Sequence, residues 1–272
     1  MSITENIMLW HDRKSAGTGR EQDDFQPFME VHLLQTEKPL GAVLICPGGG
    51  YGARAAHEGV TIAEKFNALG LHAFVVQYRV APYRFPAPQE DAFRAIKIIR
   101  SSAAEWKVKP DKIAICGFSA GGHLTASTGI FFDKVKADAG DKADSFSSRP
   151  DALVLCYPVI SSGQKGHQGS FTNLLGPEAV SEHKEKYSLE RLVTKNTPPA
   201  FLWHTADDGS VPVENSLMFS LALKEHAIPF ELHVFPAGRH GLGLAPEQPN
   251  IAVWPELCLT WLKNMGWYTL HG

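Results

Sequence analysis

Short, largely apolar runs alternate along this chain with stretches of helical period. Gly41–Cys46, Leu71–Tyr78, Ile113–Cys116, Ala152–Tyr157 and Pro199–Thr205 are such runs. An apolar run this short, with no polar alternation, reads as a strand buried on both faces of a parallel sheet. Phe230–Phe235 alternates and reads as a strand with one wetter face, and Phe28–Leu34 as an early strand at an edge. Between them, Val60, Ala63, Phe66 and Leu69 share a helical stripe that Gly70 stops. Ala92–Ser102 repeats that pattern through Ala95, Ile96 and Ile99. Val213–His226 predicts a helix burying Leu217, Leu221 and Ala222, and about Ile251 to Met265 a last one burying Trp254, Leu257, Trp261 and Leu262. This order predicts an α/β fold: a mostly parallel, doubly wound sheet flanked by helices, in a single domain spanning 1–272.

Three stretches lack a strong period. The first forty or so residues are polar and mixed, and Asp133–Arg149 reads as a surface loop. From Ser161 to Asn196 the pattern weakens, with short helices around Glu178–Lys186 and Leu189–Val193. A stretch of that length inserted after a strand reads as a cap over a site.

Composition narrows the partners. A net charge of −3, with basic residues scattered, gives no electrostatic reason to bind nucleic acid or an anionic membrane. No apolar run reaches the ~20 residues of a membrane span, and the N-terminus lacks the apolar core of a signal peptide. A cytoplasmic protein is the expectation. Cys46, Cys116, Cys156 and Cys258 have no C-x-x-C spacing and read as buried free thiols. No group of His, Asp or Cys has metal-ligand spacing, so no metal and no cofactor are expected. The sequence leaves the oligomeric state open, a homodimer included.

The chemistry centres on Gly117-Phe118-Ser119-Ala120-Gly121, where an apolar strand meets a small-residue helix. A sharp turn of this kind holds a serine hydroxyl out at the carboxyl edge of a sheet, and its glycines stand where the backbone leaves no room for a Cβ. A serine nucleophile needs a base and a group to orient that base, supplied from later strand ends in the order serine, acid, histidine. Strand Phe201–Thr205 runs into Asp207 and Asp208, and strand Phe230–Phe235 runs into His240. Pro47-Gly48-Gly49-Gly50-Tyr51 follows the first central strand, and its glycine amides can turn inward. With the Ala120 amide, those of Gly49 and Gly50 form a candidate oxyanion hole. The glycine run lacks the spacing of a phosphate-binding loop.

GFSAGGH, PGGGY, QYRVAP, HTADDGSVP and GRHG together resemble the α/β-hydrolase superfamily on its hormone-sensitive-lipase-like side. More narrowly, the chain is similar to bacterial acetyl esterases and acetylxylan esterases, including the bifunctional acetylxylan/feruloyl enzymes. The resemblance runs from about Gly41 to Leu262. Where the lipase-like loop begins with histidine, this chain has Pro47.

The resemblance implies a serine carboxylic-ester hydrolase acting on a small-molecule ester, with acetyl as the acyl group and an acetylated sugar as one substrate class. It selects Asp208 over Asp207 as the acid, through the spacing His204…Asp208…Val211-Pro212. Tyr51, His57 and His167 are the candidate substrate contacts; His57 equally suits a helix start. His204 and His123 read as structural groups, and Arg79 with Asp91 as a structural ion pair. A peptidase or arylformamidase on the same machinery, or a non-catalytic binding protein on the same fold, are the rival readings.

Overall fold

The computed structural model describes residues 2–10 and 25–267; part of the polar opening, residues 11–24, lies outside the described residues. Eight strands form one sheet: β1 (Ser2–Met8), β2 (Phe28–Leu34), β3 (Leu40–Cys46), β4 (His72–Gln77), β5 (Val108–Phe118), β6 (Ala152–Cys156), β7 (Ala200–Thr205) and β8 (Phe230–Phe235). Their spatial order is β1-β2-β4-β3-β5-β6-β7-β8. From β4 across to β8 every neighbouring pair is parallel. At the other end β2 is antiparallel to both β1 and β4.

The apolar runs are strands for the reason their pattern gave. Along β3, Ala42, Leu44 and Cys46 enter one core cluster, while Val43 and Ile45 enter the other. Both faces are therefore dry, and polar alternation has no place there. Helices α1 (Val60–Ala68) and α7 (Trp254–Asn264) cover one face through Phe66, Trp254 and Leu262. The opposite face carries α2 (Ala87–Ser101), α3 (Ala120–Phe131) and α6 (Glu214–Glu225). Such a mostly parallel sheet between two helical layers is the doubly wound α/β architecture that the sequence pattern predicts.

Four local readings are corrected. Phe28–Leu34 is not an edge strand, because β1 lies outside it and pairs Ser2 to Leu34. Helix α2 begins at Ala87, five residues before the apolar stripe, since prolines are tolerated in a first turn. Within residues 161–196, a helix α4 (Gln168–Leu175) precedes α5 (Ser181–Glu185), and its sequence QGSFTNLL is too short to display a period. Leu217 and Leu221 are 40% and 60% exposed, although the stripe placed them inside. Polar anchors turn α6 instead. Asn215 Oδ1 accepts the amides of Ile160 and Ser161 at 3.0 Å each, and Ser216 Oγ meets His204 Nδ1 at 2.8 Å. Burying those groups with their partners outweighs burying two leucines, because an orphaned buried polar group costs about 1–3 kcal/mol.

The Arg79–Asp91 pair lies under the sheet's carboxyl end, with Asp91 fully buried. Arg79 donates through Nε and one terminal nitrogen, and its own amide also reaches the carboxylate. Trp10 Nε1 adds a fourth donor at 2.8 Å. A buried charge pair with its lone pairs this fully used locks the loop between β4 and α2.

Candidate active site

Strand β5 ends at Phe118, and Ser119 adopts φ 53°, ψ −118° before α3 begins at Ala120. A serine with positive φ is strained by about 1–3 kcal/mol and persists only when its surroundings over-determine it. Here they do: Ser119 donates its amide to Cys156 O at 3.0 Å, and its carbonyl accepts from Val159 N and His123 N. A Cβ on Gly117 would lie 2.1 Å from Gly121 O, and one on Gly121 would lie 2.1 Å from Cys46 O. Both glycines are required because strand, helix and the end of β3 meet without space for a methyl group.

The turn delivers the hydroxyl to a histidine. Ser119 Oγ lies 2.8 Å from His240 Nε2, and His240 Nδ1 lies 2.6 Å from Asp208 Oδ2. The Asp208 side chain is fully buried, and its other oxygen accepts the amides of Ser210 and Val211 at 2.9 Å each. Burial alone would raise its pKa; hydrogen bonds from His204, His240 and the Val211 amide outweigh that and hold it well below the ordinary carboxylate range. The carboxylate is thus ionised and aimed. An ionised acceptor on Nδ1 fixes the tautomer that leaves Nε2 free to take a proton from Ser119.

Asp207 does something else. Its Oδ1 accepts the Gly238 amide at 2.7 Å, pinning the loop that carries His240. His204 is fully buried, with Nε2 2.9 Å from Val211 O and 3.5 Å from Asp208 Oδ2. It braces the turn behind the acid.

On the other side of Ser119, the glycine loop coils tightly, with φ of 122° at Gly49, 64° at Gly50 and 57° at Tyr51. Gly49 O accepts the amides of Gly52 and Ala53 at 3.0 Å, and Asn173 of α4 donates to Gly50 O at 2.9 Å. Among the described residues, neither the Gly49 nor the Gly50 amide is spent on an acceptor within the chain. Ala120 opens α3, where the first-turn amides have no intrahelical acceptor. The three predicted amides are therefore available donors around the elbow.

The substrate-contact expectations divide. Tyr51 is 1% exposed, and its hydroxyl bonds His123 Nδ1 at 2.9 Å, so it faces the interior beneath the glycine loop. That expectation is corrected: a ring this buried, with its hydroxyl spent on His123, presents no surface to a substrate. His57 is exposed at the rim, yet its Nε2 lies 3.0 Å from Gly241 O and fastens the histidine loop. His167 caps α4: Nδ1 accepts from the Ser170 amide and meets Ser170 Oγ at 2.8 Å. Its ring carbon Cε1 would be 3.9 Å from a Cβ on Gly50. Partial burial, then the charge of His240, lowers the His167 pKa, so at neutral pH it is an uncharged ring whose Nε2 carries the hydrogen.

Glu58 and Tyr157 were missed. Glu58 is 2% exposed and accepts Gly48 N at 2.8 Å and the Tyr157 hydroxyl at 2.7 Å. The Tyr157 ring stands edge-on to His240, with centroids 5.1 Å apart. One hint was legible, an acidic residue directly after a glycine loop in His57-Glu58-Gly59. Among the described residues there is no metal-binding group of His, Cys, Asp or Glu, and no helix long and apolar enough to cross a membrane.

Known proteins fit this architecture. A solved acetyl ester-xyloside bifunctional hydrolase from Caldicellulosiruptor lactoaceticus superposes with a TM-score of 0.92 at 43% identity, covering 97% of each chain. The carboxylesterase Cest-2923 from Lactobacillus plantarum gives 0.78 at 25% identity over the whole of both chains. Among curated proteins, the endo-1,4-beta-xylanase B of Butyrivibrio fibrisolvens is 40% identical over 82% of this chain and 36% of its own length. An acetylxylan esterase of Xylanibacter ruminicola is 33% identical over 76% of this chain and 42% of its own. The chain thus spans less than half the length of either curated relative. The family model BD-FAE matches residues 29–223, from β2 through most of α6. This chain belongs to the BD-FAE family, within the α/β hydrolases.

Proposed function

We propose that the chain is a serine carboxylic-ester hydrolase that removes acetyl groups from acetylated xylo-sugars. The observation that carries this reading is the unbroken relay from Ser119 Oγ through His240 to Asp208, at 2.8 and 2.6 Å. In the proposed reaction His240 Nε2 takes the Ser119 proton as Oγ attacks the acyl carbon. Asp208 stabilises the imidazolium so formed. The amides of Gly49, Gly50 and Ala120 receive the developing oxyanion, each contributing a few kcal/mol to the lowered barrier. His240 then gives its proton to the departing alkoxide, leaving an acetyl group on Ser119. Water, deprotonated by the same histidine, attacks the acetyl carbon; the bond to Ser119 Oγ then breaks, Oγ takes the proton back from His240, and acetic acid leaves and ionises to acetate.

Acetyl and xylo-sugar are supported by the relatives named as acetyl ester-xyloside hydrolase and acetylxylan esterase. In this reading the segment 161–196 is the cap of a single domain and receives the alcohol part of the ester. His167, held as an Nε2 donor at the edge of the glycine loop, meets a sugar hydroxyl, with His57 at the rim as the weaker contact. The four cysteines, all buried and free, suit the cytoplasm.

Ser119→Ala tests the reaction. It should abolish turnover of p-nitrophenyl acetate and labelling by a fluorophosphonate while leaving the fold intact; undiminished turnover sinks the assignment. Acetate should be strongly preferred over octanoate, and acetylated xylo-oligosaccharides should release acetate. Faster cleavage of the octanoate ester rejects the small-acyl reading, and faster cleavage of a matched amide rejects the ester reading.

A further inference from the structure

The geometry points to Glu58 as a positioning residue that joins the oxyanion loop to the histidine loop beneath the nucleophile. The inference rests on the proposed Ser119–His240–Asp208 machinery and adds a fourth side chain to its support.

Glu58 lies at the end of a single 3-10 turn, Ala56–Glu58, and is almost fully buried. A carboxyl group in that position is costly unless each oxygen is satisfied. One oxygen serves each loop. Oε2 accepts the amide of Gly48, at the base of the glycine loop, at 2.8 Å. Oε1 accepts the hydroxyl of Tyr157 at 2.7 Å. Tyr157 in turn accepts the Gly243 amide at 2.8 Å, three residues beyond His240, and its ring packs edge-on against the His240 imidazole. The carboxyl group therefore touches neither reacting atom but sits between the segments that carry them.

Gly48 shows how closely the three parts are stacked. A Cβ there would lie 2.6 Å from Glu58 Oε2, 2.8 Å from Phe118 O and 3.1 Å from the Ser119 Cβ. One residue separates the carboxyl group from the nucleophile, and that residue must be glycine. The rim adds a second, weaker tie, where His57 Nε2 meets Gly241 O at 3.0 Å.

The bridge needs two acceptors. Both partners, the Gly48 amide and the Tyr157 hydroxyl, donate, and the Tyr157 oxygen is already taken by Gly243. A carboxylate offers two acceptor oxygens, whereas an amide of the same shape offers one acceptor and one donor. With glutamine at this position, either Gly48 or Tyr157 loses its acceptor, and one loop drifts from the other. The substrate's own contacts stay as they were. Binding should survive while the alignment of Ser119, His240 and the oxyanion amides degrades, which is a loss in kcat rather than in KM.

The experiment compares Glu58→Gln, Tyr157→Phe and the double variant on p-nitrophenyl acetate, with active sites counted by fluorophosphonate titration. Glu58→Gln should lower kcat per active site by about 10- to 100-fold with KM within about threefold. Tyr157→Phe keeps the packing against His240 but breaks the bridge, and should act in the same direction with a smaller loss. The double variant should be no worse than Glu58→Gln within about twofold, because residues of one network are not additive. Unchanged kcat in Glu58→Gln, a loss confined to KM, or losses that multiply in the double variant would each overturn the inference. Should Glu58→Gln fail to fold, Tyr157→Phe decides by the same kcat criterion. Ser119→Ala separates the two levels: activity surviving there removes the reaction itself, while a dead Ser119→Ala beside an unaffected Glu58→Gln removes this bridge alone.

Discussion

Gly121→Ala puts a single methyl group into the tightest place in the molecule. On helix propensity alone the change is favourable, since alanine exceeds glycine by about 1 kcal/mol in a helix. Sterics oppose it. The new Cβ would lie 2.1 Å from Cys46 O and 2.5 Å from Pro47 O, whereas ordinary contact begins near 3.4 Å. Both oxygens belong to backbone at the end of β3, so no rotamer change relieves the clash. Helix α3 and the start of the glycine loop must part by about 1 Å, and displacements of that size cost ~10²-fold in rate. Because Ala120 rides on α3 while Gly49 and Gly50 ride on the loop, the same shift pulls the proposed oxyanion donors apart. Overpacking adds about 1–3 kcal/mol of destabilisation, which for a chain of this size lowers Tm by about 2–4 °C per kcal/mol. The assay is kcat for p-nitrophenyl acetate per titrated active site, beside a thermal unfolding curve. A Gly121→Ala protein with wild-type kcat and an equal or higher Tm would refute the reasoning, because propensity would then have outweighed the clash.

The two neighbouring aspartates should separate cleanly. Asp208→Asn should lower kcat ~10⁴-fold by spoiling the histidine tautomer, while Asp207→Asn keeps an acceptor for the Gly238 amide and should stay within about threefold. Equal losses on p-nitrophenyl acetate would contradict the geometry. A third prediction concerns His123, which burial pushes down to about 4. Between that value and the ordinary ~6.5 the unfolded chain binds a proton that the native one refuses, so stability falls as pH drops, by about 2 kcal/mol at pH 5. Urea unfolding at pH 7 and pH 5 should show His123→Gln losing less between the two than the wild type does; equal losses would contradict it.

The parallel core was legible because burial on both faces leaves so plain a trace. Runs such as Ala152–Tyr157 have few other physical explanations, and the residues at their carboxyl ends inherit a place in the site. Ser119 and His240 line up that way in the sequence, with Asp207 and Asp208 sharing the strand end between them; the family resemblance, not the strand pattern, chooses Asp208. What stayed hidden depends on contacts across the chain. Leu217 and Leu221 have a core-like period, but the helix face was set by Asn215 reaching Ile160 and Ser161, and Ser216 reaching His204. Tyr51 follows the glycines, yet its hydroxyl is held inward by His123, 72 residues away. Helix α4 is held by its contacts, Asn173 on Gly50 O and Phe171 against His123, rather than by any period of its own.

Glu58 belongs with those hidden groups, and it says something about how such a site keeps its geometry. Each reacting part sits on its own loop after its own strand, so local sequence can specify each part but not their spacing. Spacing is set by cross-braces: Asp207 to Gly238, Thr205 to Gly238, His57 to Gly241, and Glu58 through Tyr157 to Gly243. All four end on the loop that carries His240, at Gly238, Gly241 and Gly243, and the one through Tyr157 also crosses beneath the nucleophile. That loop follows β8, an edge strand none of whose residues is fully buried, so packing alone gives it little rigidity. A histidine that must meet Ser119 and Asp208 within hydrogen-bond distance cannot depend on such a strand alone. The braces supply the rigidity that the edge of the sheet lacks.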